Sequence, residues 1–212
     1  MVRERPLEPE KPQSEMERHQ IQASRTRRTA FIAILAALCI STNYVMLPLP
    51  NVKLMDVIVF SVGLSMGILP AVAIASVAWL VYGTLNPLGL AIPILITVVL
   101  CENIYALAAR FLGKKSIDAI STGQLTVEQG VVLGTLGLFS TLTYDVITNA
   151  VSGVLAYNSV WVGLLTMNVP FPLGIIHEAS NSVFFAVITP LLLKLLRKAR
   201  ISPTTGFGKL RE

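Results

Sequence analysis

Charge is what this 212-residue chain has least of: 14% of it is Asp, Glu, Lys or Arg, against 53% hydrophobic residues. A soluble domain is about a quarter charged, so the shortage excludes an ordinary solvated surface. It is sharper than the average shows, because residues 1–28 alone hold seven of the 17 basic and five of the 12 acidic residues. Histidine is nearly missing, with two in all, and one of them, His19, lies in that polar stretch. Cysteine is equally scarce: Cys39 and Cys101 both sit in apolar runs, where a small hydrophobic filler is their ordinary role. No metal ligand set and no cofactor are expected from them. The first residues also lack an apolar h-region, so no cleavable signal peptide is expected.

Apolar runs are what is there. Mean hydropathy is +0.68, and the chain reads as an all-α integral membrane protein, a compact bundle of about six transmembrane helices. The expected spans are residues 29–47, closed by Pro48 and Pro50, then 54–68, preceded by Lys53 and Asp56 and stopped by Pro70. Next come 71–82, the turn 83–87, and a longer span at 88–112 holding Pro93, Glu102 and Asn103. The last two are 130–156 and 171–196. Residues 116–129 are polar with a short amphipathic stretch, and 157–170 form a semi-polar loop carrying Trp161. A bilayer core of about 30 Å needs about 20 helical residues, so the second and third spans are short. They tilt little, thin the bilayer, or fold as a broken hairpin inside the bundle. Residues 1–28 read as a disordered charged tail, 29–200 as the membrane domain and 201–212 as a second tail.

Basic residues set the orientation. With the amino terminus inside, the inner segments collect Arg25, Arg27 and Arg28, then Arg110, Lys114 and Lys115, then Lys194, Arg197, Lys198 and Arg200. The outer loops collect only Lys53. Both termini are therefore expected in the cytoplasm, and the basic residues follow the membrane edge instead of forming a nucleic-acid patch. Small residues recur four apart at Ala33/Ala37, Gly63/Gly67, Ala71/Ala75 and Gly130/Gly134. Such strips let helices approach closely, mostly within the bundle, and leave room for one that meets a partner.

Polar residues at membrane depth carry the functional signal. On the fifth span Asp145 and Asn149 lie four apart, hence on one face, with Thr141 and Ser152 continuing it and Tyr144 bordering it. On the sixth, His177 and Asn181 are also four apart, with Glu178 beside them. At 1.5 Å per residue, His177 and Asn149 come out about 9 Å below the outer surface, and Asn181 and Asp145 about 14–15 Å. Glu102 lies deeper, Asn43 ends the first span on the outer side, and Trp161 leans over from the last outer loop. Interhelical hydrogen bonds contribute only about 0.6–2 kcal/mol each, whereas burying a carboxylate costs a few kcal/mol or more. Three carboxylates, Glu102, Asp145 and Glu178, are therefore better explained by an outward-facing pocket than by packing alone, a His177–Asp145 pair being the packing alternative.

Catalytic readings fail on spacing. His177-Glu178 opens like the zinc-protease HExxH pattern, but Asn181 stands where the second His belongs. Gly113-Lys114-Lys115-Ser116 resembles the end of a Walker A loop, yet Ala108 replaces its first glycine and a membrane span precedes it. No enzyme activity is expected of this chain. A solute accumulated through it needs energy from elsewhere: protons moving through Glu102, Asp145 and Glu178, as in a small secondary transporter, or a partner ATPase. An intramembrane enzyme or a structural assembly factor are the remaining classes.

The membrane region resembles the substrate-binding S components of energy-coupling factor (ECF) transporters. The similarity is carried by six short spans, the strip Ala33/Ala37, the Gly63–Pro70–Ala75 pair of segments, and the run Thr143-Tyr144-Asp145-Val146-Ile147-Thr148-Asn149. The run His177-Glu178-Ala179-Ser180-Asn181 with Phe184-Phe185 belongs to it as well. The resemblance implies a binding subunit in a prokaryotic plasma membrane, without ATPase activity, that associates with a T component and two cytoplasmic ATPases. It implies that Ala33 and Ala37 meet the T component, and that substrate is held near the outer surface by the first outer loop and spans four to six. The outer halves of the spans offer carboxylates, amides, a His and a Tyr, and no cation apart from Lys53 at the loop. A vitamin-like solute that is cationic, or neutral and nitrogen-rich, is expected on that basis.

Overall fold

The computed structural model describes residues 12–85 and 91–199. Residues 1–11 of the expected first tail, 86 and 87 of the expected turn, 88–90 of the expected span 88–112, Arg200 and the whole expected tail 201–212 lie outside the described residues. All regular structure among the described residues is helical. Helix α1 (Pro12–Val45) runs through most of the expected tail. Pro12 starts it, where a missing N–H costs nothing, and no Gly or Pro follows before the apolar part to stop it.

Helices α2 (Met55–Met66) and α3 (Ile68–Thr84) are separated by a single residue. That residue is Gly67, at φ +94°, a conformation in which a side chain is strained. The expected stop at Pro70 is thus corrected: Pro70 lies in the first turn of α3, where proline is tolerated. Arg28 of α1 donates to the Met66 carbonyl at 2.9 Å, meeting an acceptor that the helix break leaves open. At 12 residues α2 is about 18 Å long, too short to face lipid along a full crossing. It does not need to, because ten of its residues are buried at the centre of the bundle.

Helix α4 (Ile92–Cys101) gives way at Glu102 to α5 (Asn103–Ala108) and a 3-10 turn over Ala109–Phe111. The Asn103 amide donates to Val99 O and Leu100 O, 3.0 and 3.2 Å away, competing for carbonyls that the helix ladder would use. Amphipathic α6 (Lys114–Ser121) is held to the last helix by Arg197, which donates to Ser121 Oγ at 2.8 Å. Helix α7 (Val127–Tyr157) opens on a Thr126/Gln129 capping box and ends at Asn158 in the left-handed region. The expected loop at 157–170 contains a short helix, α8 (Val160–Thr166), capped by Ser159. Helix α9 (Leu173–Lys198) completes the fold.

Among the described residues four segments are long and apolar enough to span a bilayer: Gln22–Val45, Ile92–Phe111, Val127–Tyr157 and Leu173–Lys198. Helices α2 and α3 are shorter apolar helices. Apolar side chains such as Ile96, Leu100, Phe139, Val187 and Leu191 point outward, each more than half exposed. In lipid that surface is the solvated one, so the chain is a multi-pass, all-α membrane bundle, consistent with a plasma-membrane location.

The bundle's long axis of contact is α7 against α9. Gly137, Thr141, Tyr144, Asp145 and Thr148 bury one stripe of α7, and His177, Asn181, Phe185, Thr189 and Leu193 bury the facing stripe of α9. Both stripes advance by three or four residues, the helical period. A side chain on Gly137 would come within 2.7 Å of the Asn181 carbonyl, so glycine there sets how closely the two helices meet. The loop before α2, the end of α3, the start of α4, the second half of α7 and the loop before α9 gather at one end. Basic residues gather at the other.

Candidate functional site

Asp56 lies in the first turn of α2, where the helix amides and dipole favour a carboxylate. Its Oδ2 is 2.8 Å from His177 Nε2, while His177 Nδ1 is 2.9 and 3.1 Å from the two oxygens of Asp145. One imidazole on α9 therefore bridges carboxylates on α2 and α7, all three buried. Asn181, one turn on from His177, donates to Asp56 Oδ2 at 2.7 Å and to Thr141 Oγ1 at 2.8 Å. Thr141 in turn donates to Gly137 O and accepts from the Tyr105 hydroxyl at 3.3 Å.

Each of the two N···O contacts of His177 needs one hydrogen, and a neutral imidazole carries only one. With a hydrogen in each contact, the three groups share two protons and carry a net charge of minus one. At an effective dielectric constant of about 20, each contact contributes roughly 6 kcal/mol of Coulomb attraction. Removing each ion from solvent costs several kcal/mol in return. The network therefore adds little net stability.

Glu102, wholly buried where α4 gives way to α5, accepts from Trp79 Nε1 at 2.9 Å through Oε2, and its Oε1 has no partner among the described residues. The Lys53 ammonium lies 4.8 Å from the Trp79 ring centre and 5.8 Å from that of Tyr144. The Tyr144 ring also stands edge-on to His177, 5.9 Å away. Lys53, Trp79 and Tyr144 border a cavity of about 240 Å3 whose polar wall also includes Asn51, Asp145, Thr148, Asn149, Ser152 and Thr166. Asn51 closes it by donating to Leu173 O at 3.0 Å, which ties the loop before α2 to the start of α9. A larger groove of about 660 Å3 between α7 and α9 is lined by Gly, Val, Leu, Ala, Ser and Thr and faces outward; it offers no titratable group.

The structure brings Asp145 and His177 into direct contact and joins Asn181 to them through Asp56, with Tyr144 and Asn149 at the cavity wall. The Asn149 amide donates to Asp145 O of its own helix at 2.8 Å. Glu102 accepts from Trp79 and stands outside the cavity lining. Asn43 is buried against Met55 Sδ at 3.6 Å, with Oδ1 unpartnered. Glu178 is half-buried on an adjoining face of α9, also with an unpartnered oxygen. Trp161 on α8 is 80% exposed and does not line the cavity. Ala33 and Ala37 are exposed on α1.

Asp56 and Trp79 are functional candidates that the sequence reading did not place at the site, and Lys53 was placed only at the loop. The signal for Asp56 was an acid one turn into an apolar run that continues through residue 66. The expectation of a cationic or nitrogen-rich neutral solute had Lys53 only at the loop; in the structure Lys53 belongs to the cavity wall. Among the described residues no group of three or more His, Cys, Asp or Glu could hold a metal ion. Compared with family models, with curated proteins and with solved structures, the chain gives no match.

Proposed function

We propose that this chain is a small-solute transporter of the plasma membrane in which the Asp56–His177–Asp145 network carries the proton that couples uptake to the proton gradient. The observation that supports this reading is the bridging imidazole, which holds two protons among three buried groups on three helices. One end, Asp145, lines the cavity; the other, Asp56, joins Asn181 and Thr141 in the interior. Such groups at membrane depth mark proton relays in pumps and transporters. The cavity faces outward on this reading, because Lys53 is the basic residue at its end while Arg28, Arg110, Lys114, Lys115, Arg197 and Lys198 belong to the other. Both termini are then cytoplasmic, and α2 with α3 completes six crossings. The chain itself carries out no covalent chemistry.

A second reading, the S component of an ECF importer, is favoured by one observation. The Ala33/Ala37 strip is exposed on α1, available to a partner such as a T component that would bring two ATPases. The vitamin-like solute of that reading would occupy the same cavity. The separating experiment reconstitutes the purified chain alone into liposomes under an inside-alkaline pH gradient, with a pool of small metabolites read by mass spectrometry. Gradient-dependent accumulation of a solute by the chain alone supports the proton-coupled reading. Accumulation that requires ATP and partner subunits, and that Ala37→Trp abolishes, overturns it in favour of the second.

A further inference from the structure

Resting on the reading of the cavity as the solute site, the geometry points to a small organic anion as the solute, its carboxylate taken by the Lys53 ammonium. Lys53 is the charged group of the cavity wall that makes no ion pair among the described residues. Asp145 directs both oxygens at His177 Nδ1, and Asp56 serves His177 and Asn181, so the carboxylates nearest the cavity are already engaged. Glu102 accepts from Trp79 Nε1 and does not line the cavity. No carboxylate among the described residues lies within salt-bridge distance of Lys53, whose ammonium rests against the faces of Trp79 and Tyr144 and feels the buried Asp56 and Glu102 only from farther off. Cation–π contacts of this kind are weaker than a charge-assisted hydrogen bond to a carboxylate in the same half-buried setting.

The remaining unpartnered polar groups fit the same ligand. The hydroxyls of Tyr144 and Ser152 have no protein hydrogen-bond partner among the described residues, and both residues line the cavity. When a carboxylate draws Lys53 aside, the faces of Trp79 and Tyr144 are freed for a planar or apolar body to lie against. A cavity of about 240 Å3 has room for a small organic molecule such as a single substituted ring.

Three probes of one shape and different charge test this: benzoate, benzamide and benzylamine. The chain contains two tryptophans, so Trp161→Phe leaves Trp79, under Lys53, as the sole emitter. In nanodiscs, benzoate is expected to change Trp79 emission saturably, at least tenfold tighter than benzamide, with no saturation by benzylamine. Lys53→Gln should weaken benzoate tenfold or more in a protein that remains folded by circular dichroism, and Lys53→Arg should retain it. Tighter binding of benzylamine, equal binding of benzamide, an unaffected Lys53→Gln, or no response to any probe in the folded protein would each overturn the anion assignment. The assay involves no transport, so its failure leaves the proton-coupled reading standing, and failed uptake with intact benzoate binding refutes only that reading.

Discussion

Removing His177 and neutralising its partners should have opposite consequences for stability. His177→Leu leaves Asp56 and Asp145, both at most 3% exposed, without the group that bridges them at 2.8 and 2.9 Å. Breaking a buried pair from one side costs about 3–5 kcal/mol, which for a domain of this size lowers the melting temperature by roughly 10 °C. The Asp56→Asn/Asp145→Asn double variant behaves differently. A neutral imidazole donates through one nitrogen and accepts at the other, so an introduced amide can give a hydrogen at one contact and take one at the other. Asn181 keeps an acceptor at position 56 and its bond to Thr141. The double variant is therefore expected within about 1 kcal/mol of the parent, folded but with no mobile proton. Thermal unfolding in mild detergent, followed by circular dichroism, measures both. A loss below about 1 kcal/mol in His177→Leu, or an equal loss in the double variant, would refute the reasoning that links burial, pairing and proton content.

Two further outcomes follow from close approach and backbone shape. Gly137→Ala places a methyl 2.7 Å from Asn181 O and 2.8 Å from the Phe185 ring, and should cost about 1–3 kcal/mol as overpacking. Gly130→Ala, with nothing within 4 Å, should be neutral or stabilising in the same assay. Gly67→Ala forces a side chain into φ +94° and is expected to cost about 1–2 kcal/mol, whereas Pro70→Ala, in the first turn of α3, should change stability by well under 1 kcal/mol; the paired melting temperatures check which residue ends α2.

The facing stripes of α7 and α9 were legible because polar residues four apart in apolar runs share a helix face, and short connections make successive spans neighbours. Asp56 was harder to see: its place depends on where α2 starts, and a shift of one turn moves it from loop to core. Lys53 was readable as a loop residue, but its direction toward Trp79 depends on the close fit of the loop before α2 over the end of α3. Proline is the more familiar helix breaker, yet Gly67 ends α2, because only the positive φ marks the break and φ leaves no trace in composition. The stretch 12–28 has no apolar periodicity, and it is helical nonetheless: it carries good helix formers and continues a helix already nucleated in the membrane.

The central claim, that the proton moving with the solute is held by the Asp56–His177–Asp145 network, is tested most directly by counting protons. Liposomes containing only this chain and an internal pH dye, given the solute that accumulates in the uptake experiment, should acidify in proportion to solute entry. The Asp56→Asn/Asp145→Asn variant should bind the same solute and acidify nothing. Solute entry without acidification in the parent, or unchanged acidification in the double variant, would contradict the claim.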